Sequence, residues 1–180
     1  MLGIVFTEFF ELVEDSFGAD MLDDIIADAQ LANDGAYTAV GQYDHGELLV
    51  LVTALGKRLS MPVPGLVRAF GQHLFRRFTE RYSEFFEVPV NSIELLSQIE
   101  NHIHVEVKKL YPQASLPTFS HVQVQPNELV LEYQSSKPFA DLAEGLIEGC
   151  ADHFSERVEI QRQDHEAGDG YHSTFTLRYS

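Results

Sequence analysis

Positive charge is scarce in this sequence. Twelve Lys and Arg stand against twenty-eight Asp and Glu in 180 residues, a net charge of -16 with His neutral. A chain this acidic repels nucleic acid and anionic membranes, and a basic patch on a protein partner suits it better. Cysteine is nearly absent. A single residue, Cys150, excludes an internal disulfide and fits a reducing compartment. It lies in an apolar helical pattern beside Asp152 and His153, and reads as a small core residue rather than a nucleophile. No apolar run approaches ~18 residues, so nothing is expected to span a membrane. The N-terminus does not resemble a signal peptide, because Glu8, Glu11, Glu14 and Asp15 interrupt its apolar residues and no basic start precedes them. Repeats, low-complexity stretches and linkers are missing too. One cytoplasmic domain over 1–180 is therefore expected, and a 44% hydrophobic content suffices for its core.

What is present is a helical first half. In 3–17, Ile4, Phe6, Phe9, Phe10, Leu12 and Val13 recur at helical spacing before Gly18, predicting an amphipathic helix with a wide aromatic face. That face serves core packing or covers a flat ligand. A second helix is expected over 20–31 with Asp20 as its cap, then a turn, then a short extended piece at 37–40. Asp44 with Glu47 suggests a capping box opening a helix to Lys57. Pro62 and Pro64 suit the start of another helix, to about Phe78. The stretch the rest is organised around is 91–111. Asn91 and Glu94 look like its cap, Leu96, Ile99, Ile103, Val107 and Leu110 predict one buried stripe, and Lys108 and Lys109 suit the dipole of its last turn.

Beyond Pro112 and Pro117 the period changes from helical to alternating. Val122 and Val124, then Leu129, Leu131 and Tyr133 across a Pro126-Asn127 turn, predict a β-hairpin. A helix over 142–154 follows, then strands at 158–162 and 174–179 around a polar turn, 163–170. Helices first and antiparallel strands later, with one helix among them, give an α+β domain with about four antiparallel strands.

Two histidines, His102 and His104, flank the stripe of the 91–111 helix. A neutral imidazole has a lone pair for a metal or haem iron, and periodicity alone does not choose between them. His165 and His172 bracket the polar turn and could form a metal site with an acidic neighbour, though no cysteine joins them. Two ligands are too few for structural zinc, and a solvated loop is the expectation there.

Three separated stretches, HIHVEVKKLYP, MLGIVFTEFFELVEDSFG and YQSSKPFADLAEGLIEG, resemble the haem-nitric oxide/oxygen binding (H-NOX) family, in register over essentially the whole chain. The resemblance implies haem b held between the helical part and the sheet part. The family's iron ligand lies in an H-x-x-V segment before a proline, which matches His104, Val107 and Pro112 and leaves His102 as a flank residue. Its propionate-binding pattern Y-x-S-x-R matches Tyr133, Ser135 and Lys137, with lysine where the family has arginine. Lysine keeps the charge and loses the bidentate fork. Pro117 matches the proline that presses on the porphyrin. Val5, Phe9, Leu74, Leu142 and Leu146 match the residues around the bound gas, and all are apolar.

The function implied is that of a nitric oxide sensor rather than an enzyme. Nitric oxide and carbon monoxide would be its ligands, and the partner a separate histidine kinase or cyclic-di-GMP enzyme, since the chain has no room for an output domain. A haem oxidase or peroxidase-like enzyme would need a distal acid, base or charge, which none of the gas-side residues supplies. A haem-free interaction domain is the other alternative, and Lys137 is what makes it conceivable.

Overall fold

The computed structural model describes residues 1–166 and 168–180. They form two compact units, Met1–Phe70 and Gly71–Ser180. Among the described residues are seven α-helices and one four-stranded antiparallel sheet. No single helix among them is long and apolar enough to cross a membrane.

In the first unit, α1 (Gly3–Phe17) ends at Gly18, whose φ of 88° requires glycine. Its face buries Ile4, Phe6, Phe9 and Val13, each worth about 1.5–3 kcal/mol when removed from water. The second helix, α2 (Ala19–Ala29), starts a residue earlier than expected: Gly18 is the cap residue and Asp20 lies inside the first turn. Helix α3 (His45–Leu59) is capped as expected, with Asp44 accepting from the Gly46 N–H at 2.9 Å. Glu47 does not close the box. Its carboxylate instead accepts from the Tyr37 hydroxyl at 2.7 Å. The extended piece at 37–40 does not form either. Tyr37 stacks on Phe6 at 4.3 Å, and the chain touches α1 so closely that a Cβ on Gly3 would lie 1.8 Å from the Thr38 carbonyl oxygen. Side-chain packing has overridden strand propensity there.

Helix α4 (Val63–Arg81) opens after Pro62 and carries the chain from one unit to the other. In the second unit, α5 (Ser92–Ser97) starts where Asn91 Oδ1 accepts from the Glu94 N–H at 2.8 Å. The return bond runs from the Val90 N–H to Glu94, one residue beyond the expected partner. A π-helical turn (Ile99–Ile103) and α6 (His104–Leu110) complete the organising segment. The strands are β1 (Thr118–Gln125), β2 (Glu128–Ser135), β3 (Val158–His165) and β4 (Tyr171–Tyr179), ordered β1-β2-β4-β3, with α7 (Ala140–His153) between β2 and β3. The strands run further into the expected polar turn at 163–170 than the sequence suggested; Ala167 in that turn lies outside the described residues.

The sheet's inner face carries Leu129, Leu131, Tyr133, Phe175 and Leu177, packed with Leu95 and Leu96 of α5 and with Ala143, Ile147, Cys150 and Ala151 of α7. Cys150 is thus the core residue expected, and burial pushes its thiol up to about 12. Helix α7 approaches α4 at Gly71, where a Cβ would lie 2.4 Å from the Leu142 carbonyl oxygen. Glu132, His172 and Thr174 alternate onto the outer face of the sheet.

Candidate functional site

The site grows out of the π turn. Its wide ring is closed by the Ile103 N–H reaching back five residues to the Gln98 carbonyl. One extra residue in a turn rotates all that follows, so the single stripe expected over 91–111 breaks. Leu95 and Leu96 are buried, while Leu110, expected on the stripe, is 55% exposed. The same rotation aims the first residue of α6, His104, toward β1.

His104 is half-buried, and its Nδ1 lies 2.9 Å from Glu100 Oε1. Phe119 of β1 donates its backbone N–H to the same oxygen at 2.8 Å. A carboxylate only accepts, so the imidazole proton sits on Nδ1 and the lone pair on Nε2. Nε2 has no hydrogen bond among the described residues. Burial lowers the pKa of His104, against the pull of Glu100, and favours the neutral ring that a metal requires. His102 points elsewhere, edge-on to Phe85 at 6.2 Å.

Aromatic contacts connect His104 to the sheet. Its ring packs on Phe119 at 6.0 Å, Phe119 on Tyr133 at 5.4 Å, and Tyr133 on Phe175 at 6.2 Å. Phe119 and Tyr133 are direct cross-strand partners. Tyr133 is 2% exposed, and burial raises its pKa while Ser135 and the Phe139 backbone oppose that rise. Past the strand end, Ser135 Oγ accepts from the Lys137 N–H at 3.0 Å. Lys137 Nζ donates to the Ser115 carbonyl at 3.1 Å, and burial lowers its pKa. That bond joins the lysine to the 112–117 connection, which ends in half-buried Pro117. So His104 and Tyr133 meet at Phe119, while Ser135 and Lys137 meet the connection that ends at Pro117, two residues before Phe119. These residues offer a lone pair for a metal, and hydroxyls with an ammonium for carboxylates.

The apolar candidates lie on helices. Leu74 (α4) and Leu142 (α7) are buried, and Leu146 (α7) is half-buried against the core of the second unit. In the first unit, Phe9 is buried edge-on to Phe70 at 5.4 Å, and Val5 is half-buried. Two residues escaped the sequence reading. Glu100 could have been found from its place four residues before His104, the spacing of helical neighbours. Glu132 could have been found from its outward place in the alternation of β2; it reaches His172.

A haem-NO-binding family model matches residues 2–162. The chain is similar over its whole length to the Fe(II) unliganded H-NOX protein of K. algicida, with 36% identity, 97% of that chain covered and a TM-score of 0.92. It is similar to the H-NOX of Shewanella woodyi, solved with IWP-051 in the Fe(II)CO state, with 44% identity over 99% of this chain and 94% of that one and a TM-score of 0.83. The H-NOX of S. oneidensis in the Fe(II)NO state matches at 29% identity, covering 100% of this chain and 99% of that one, with a TM-score of 0.88. With its helices, its four-stranded sheet and nearly its full length matched in this way, the chain belongs to the H-NOX family of haem-binding gas sensors.

Proposed function

We propose that this chain is a haem-based nitric oxide sensor without catalytic activity, its 180 residues working as one haem-binding domain. The observation that carries the reading is the His104 ring, its Nδ1 2.9 Å from Glu100 Oε1 and its Nε2 without a hydrogen bond among the described residues. Haem b, when bound, supplies a ferrous iron that takes nitric oxide or carbon monoxide and whose bond to histidine weakens under nitric oxide.

The residues fit that group. His104 would ligate through Nε2, with Glu100 setting the tautomer and the ring orientation. Tyr133, Ser135 and Lys137 would bind the propionates. Each charge-assisted bond is worth about 1.5–3 kcal/mol. Lys137 supplies one point charge where arginine would supply a fork. Pro117, by its match to the family's proline, would pack against the macrocycle. Val5, Phe9, Leu74, Leu142 and Leu146, which match the family's gas-side positions, carry side chains with neither proton nor charge to give, which favours a sensor over an oxidase or peroxidase. The Fe(II)NO and Fe(II)CO states of the two Shewanella relatives support the choice of ligands.

Signalling follows from the helix that carries His104. Helix α6 is seven residues long, follows a π turn, and ends at half-buried Tyr111. Were haem bound, release of His104 would free this segment, and a two-state shift of it against β1 would be what a partner reads. The partner is a histidine kinase or a cyclic-di-GMP enzyme, met through a basic patch that complements the net charge of -16. A cytoplasmic location is supported by the single buried cysteine. An absorption spectrum of the purified protein is the test. A Soret band that shifts with nitric oxide is expected; a protein that takes up no haem overturns the reading.

A further inference from the structure

We propose that Glu132, His165 and His172 form a second metal site, for a borderline first-row divalent ion of the zinc type, on the outer face of the sheet.

The three residues come from three adjacent strands. His165 on β3 and His172 on β4 are direct cross-strand partners, and their rings lie 4.7 Å apart. Two residues along β4, Thr174 stands on the same side as His172 and directly opposite Glu132 on β2. The candidate ligand atoms all lie within 4.8 Å of one another. Each of the three residues is half-buried, so part of the desolvation that ligation requires is already met.

Their present bonds converge on the same point. His172 Nε2 lies 2.8 Å from Glu132 Oε2, and His165 Nε2 lies 2.7 Å from Thr174 Oγ1. Thr174 Oγ1 in turn donates toward Glu132, 2.9 Å from Oε2 and 3.0 Å from Oε1. Tetrahedral zinc bonds of about 2.0–2.2 Å hold ligand atoms roughly 3.4 Å apart. Small side-chain rotations therefore close the site with the strands in place. The Thr174 hydroxyl then remains as a donor to the second carboxylate oxygen and orients it.

The donor set chooses the ion. Two imidazoles and one carboxylate are a recurrent three-ligand zinc set that leaves a fourth position to water. Calcium and magnesium prefer oxygen throughout. Nickel and copper share the preference for imidazole and are expected to compete. The site is separate from the one around His104, because Tyr133, next to Glu132, faces the inner side of the sheet. An ion here would tie β2, β4 and β3 together beside the polar turn.

The test is a zinc titration of the untagged, haem-loaded protein by calorimetry, with the histidine ring signals followed by NMR. One zinc per chain is expected, and in the native sequence the His165 and His172 rings should shift first. Glu132→Gln, His165→Ala and His172→Ala should each weaken binding at least tenfold, while His121→Ala on β1 leaves it unchanged. The Soret band of every variant should match the parent, which reports an intact fold. The proposal is overturned if the native protein takes up no zinc at a tenfold excess, if other histidine rings shift in place of these two, or if the double variant His165→Ala/His172→Ala binds as tightly as the parent.

Discussion

Glu100 Oε1 stands 2.9 Å from His104 Nδ1, across the π turn that separates α5 from α6. A carboxylate on the far nitrogen makes an imidazole a stronger donor to a metal and fixes its tilt. The same oxygen holds the Phe119 N–H, so it also ties the start of α6 to β1.

The first prediction concerns that bond. Glu100→Gln keeps the shape and removes the charge. The iron–histidine stretch of the ferrous, unliganded protein, read by resonance Raman, should fall. Loss of the histidine under nitric oxide should become faster. His104→Gly should abolish the protein ligand, with free imidazole restoring the parent spectrum, and His102→Ala should change nothing. An unaltered stretch in Glu100→Gln would show that the carboxylate does not tune the ligand.

A second prediction concerns Lys137. Among the described residues its ammonium bonds the Ser115 carbonyl alone, an arrangement that leaves two of its three N–H donors for carboxylates. Lys137→Ala should speed haem loss to a haem-scavenging globin. Lys108→Ala, at the exposed end of α6, should not. Lys137→Arg should retain haem at least as well as the parent, because a fork replaces a point. Equal haem loss in the two alanine variants would remove Lys137 from the site.

Much of this was legible in the chain because two periods are so distinct. Leu129, Leu131 and Tyr133 alternate, and all three are buried on the inner face. Phe6, Phe9 and Val13 repeat at helical spacing, and α1 spans Gly3–Phe17 as expected. The organising helix was harder. A π turn leaves no mark on composition, and Leu96, Ile99, Ile103, Val107 and Leu110 fit a straight helix until the extra residue rotates Leu110 outward. Tyr37 was misread for another reason. Its β propensity is real, but a stack on Phe6 and a bond to Glu47 decide its conformation. His165 and His172 were read as flanking a solvated loop, and their place as direct strand partners was hidden because polar residues on both faces of a strand end look like a loop.

A third prediction is about the anchoring of β3 on α7. Arg162 donates to Asp141 at 2.6 Å, to Glu144 at 3.1 Å, and to both oxygens of Asp164 at 2.7 and 2.8 Å. The Arg162 guanidinium holds the Asp164 carboxyl below its ordinary 3.8. A carboxyl depressed in the folded state stabilises above its unfolded value, and that contribution is lost as pH falls through the folded one. Arg162→Ala should therefore cost about 1–2 kcal/mol near neutral pH, a figure kept low because the Asp164 side chain is 58% exposed and screened. The gap to the parent should close as pH drops below about 4. Urea unfolding at pH 7 and pH 3.5 checks this, and a gap that stays constant would mean that the lost packing of Arg162, and not its charge, is responsible.

The last prediction is which gas is kept. Oxygen bound to ferrous haem carries partial negative charge and is held by a nearby hydrogen-bond donor, whereas nitric oxide needs no such donor. In the oxygen-binding H-NOX pattern a tyrosine in the helix after the propionate motif supplies the donor, and that register falls on Leu142 here. Leu142 is buried on α7, and its side chain has nothing to donate. Leu74 on α4 and Phe9 on α1 are buried too, and neither carries a polar side-chain atom. A missing hydrogen bond costs about 0.5–1.5 kcal/mol, and more where water is excluded. That difference weakens oxygen and leaves nitric oxide and carbon monoxide untouched. The ferrous protein should therefore bind both of the latter and form no lasting oxygen complex. Stopped-flow mixing of the ferrous protein with air-saturated buffer reads this directly. Unchanged ferrous bands are expected, followed by slow oxidation; an oxy spectrum that persists for minutes would mean that a donor other than these three residues reaches the gas.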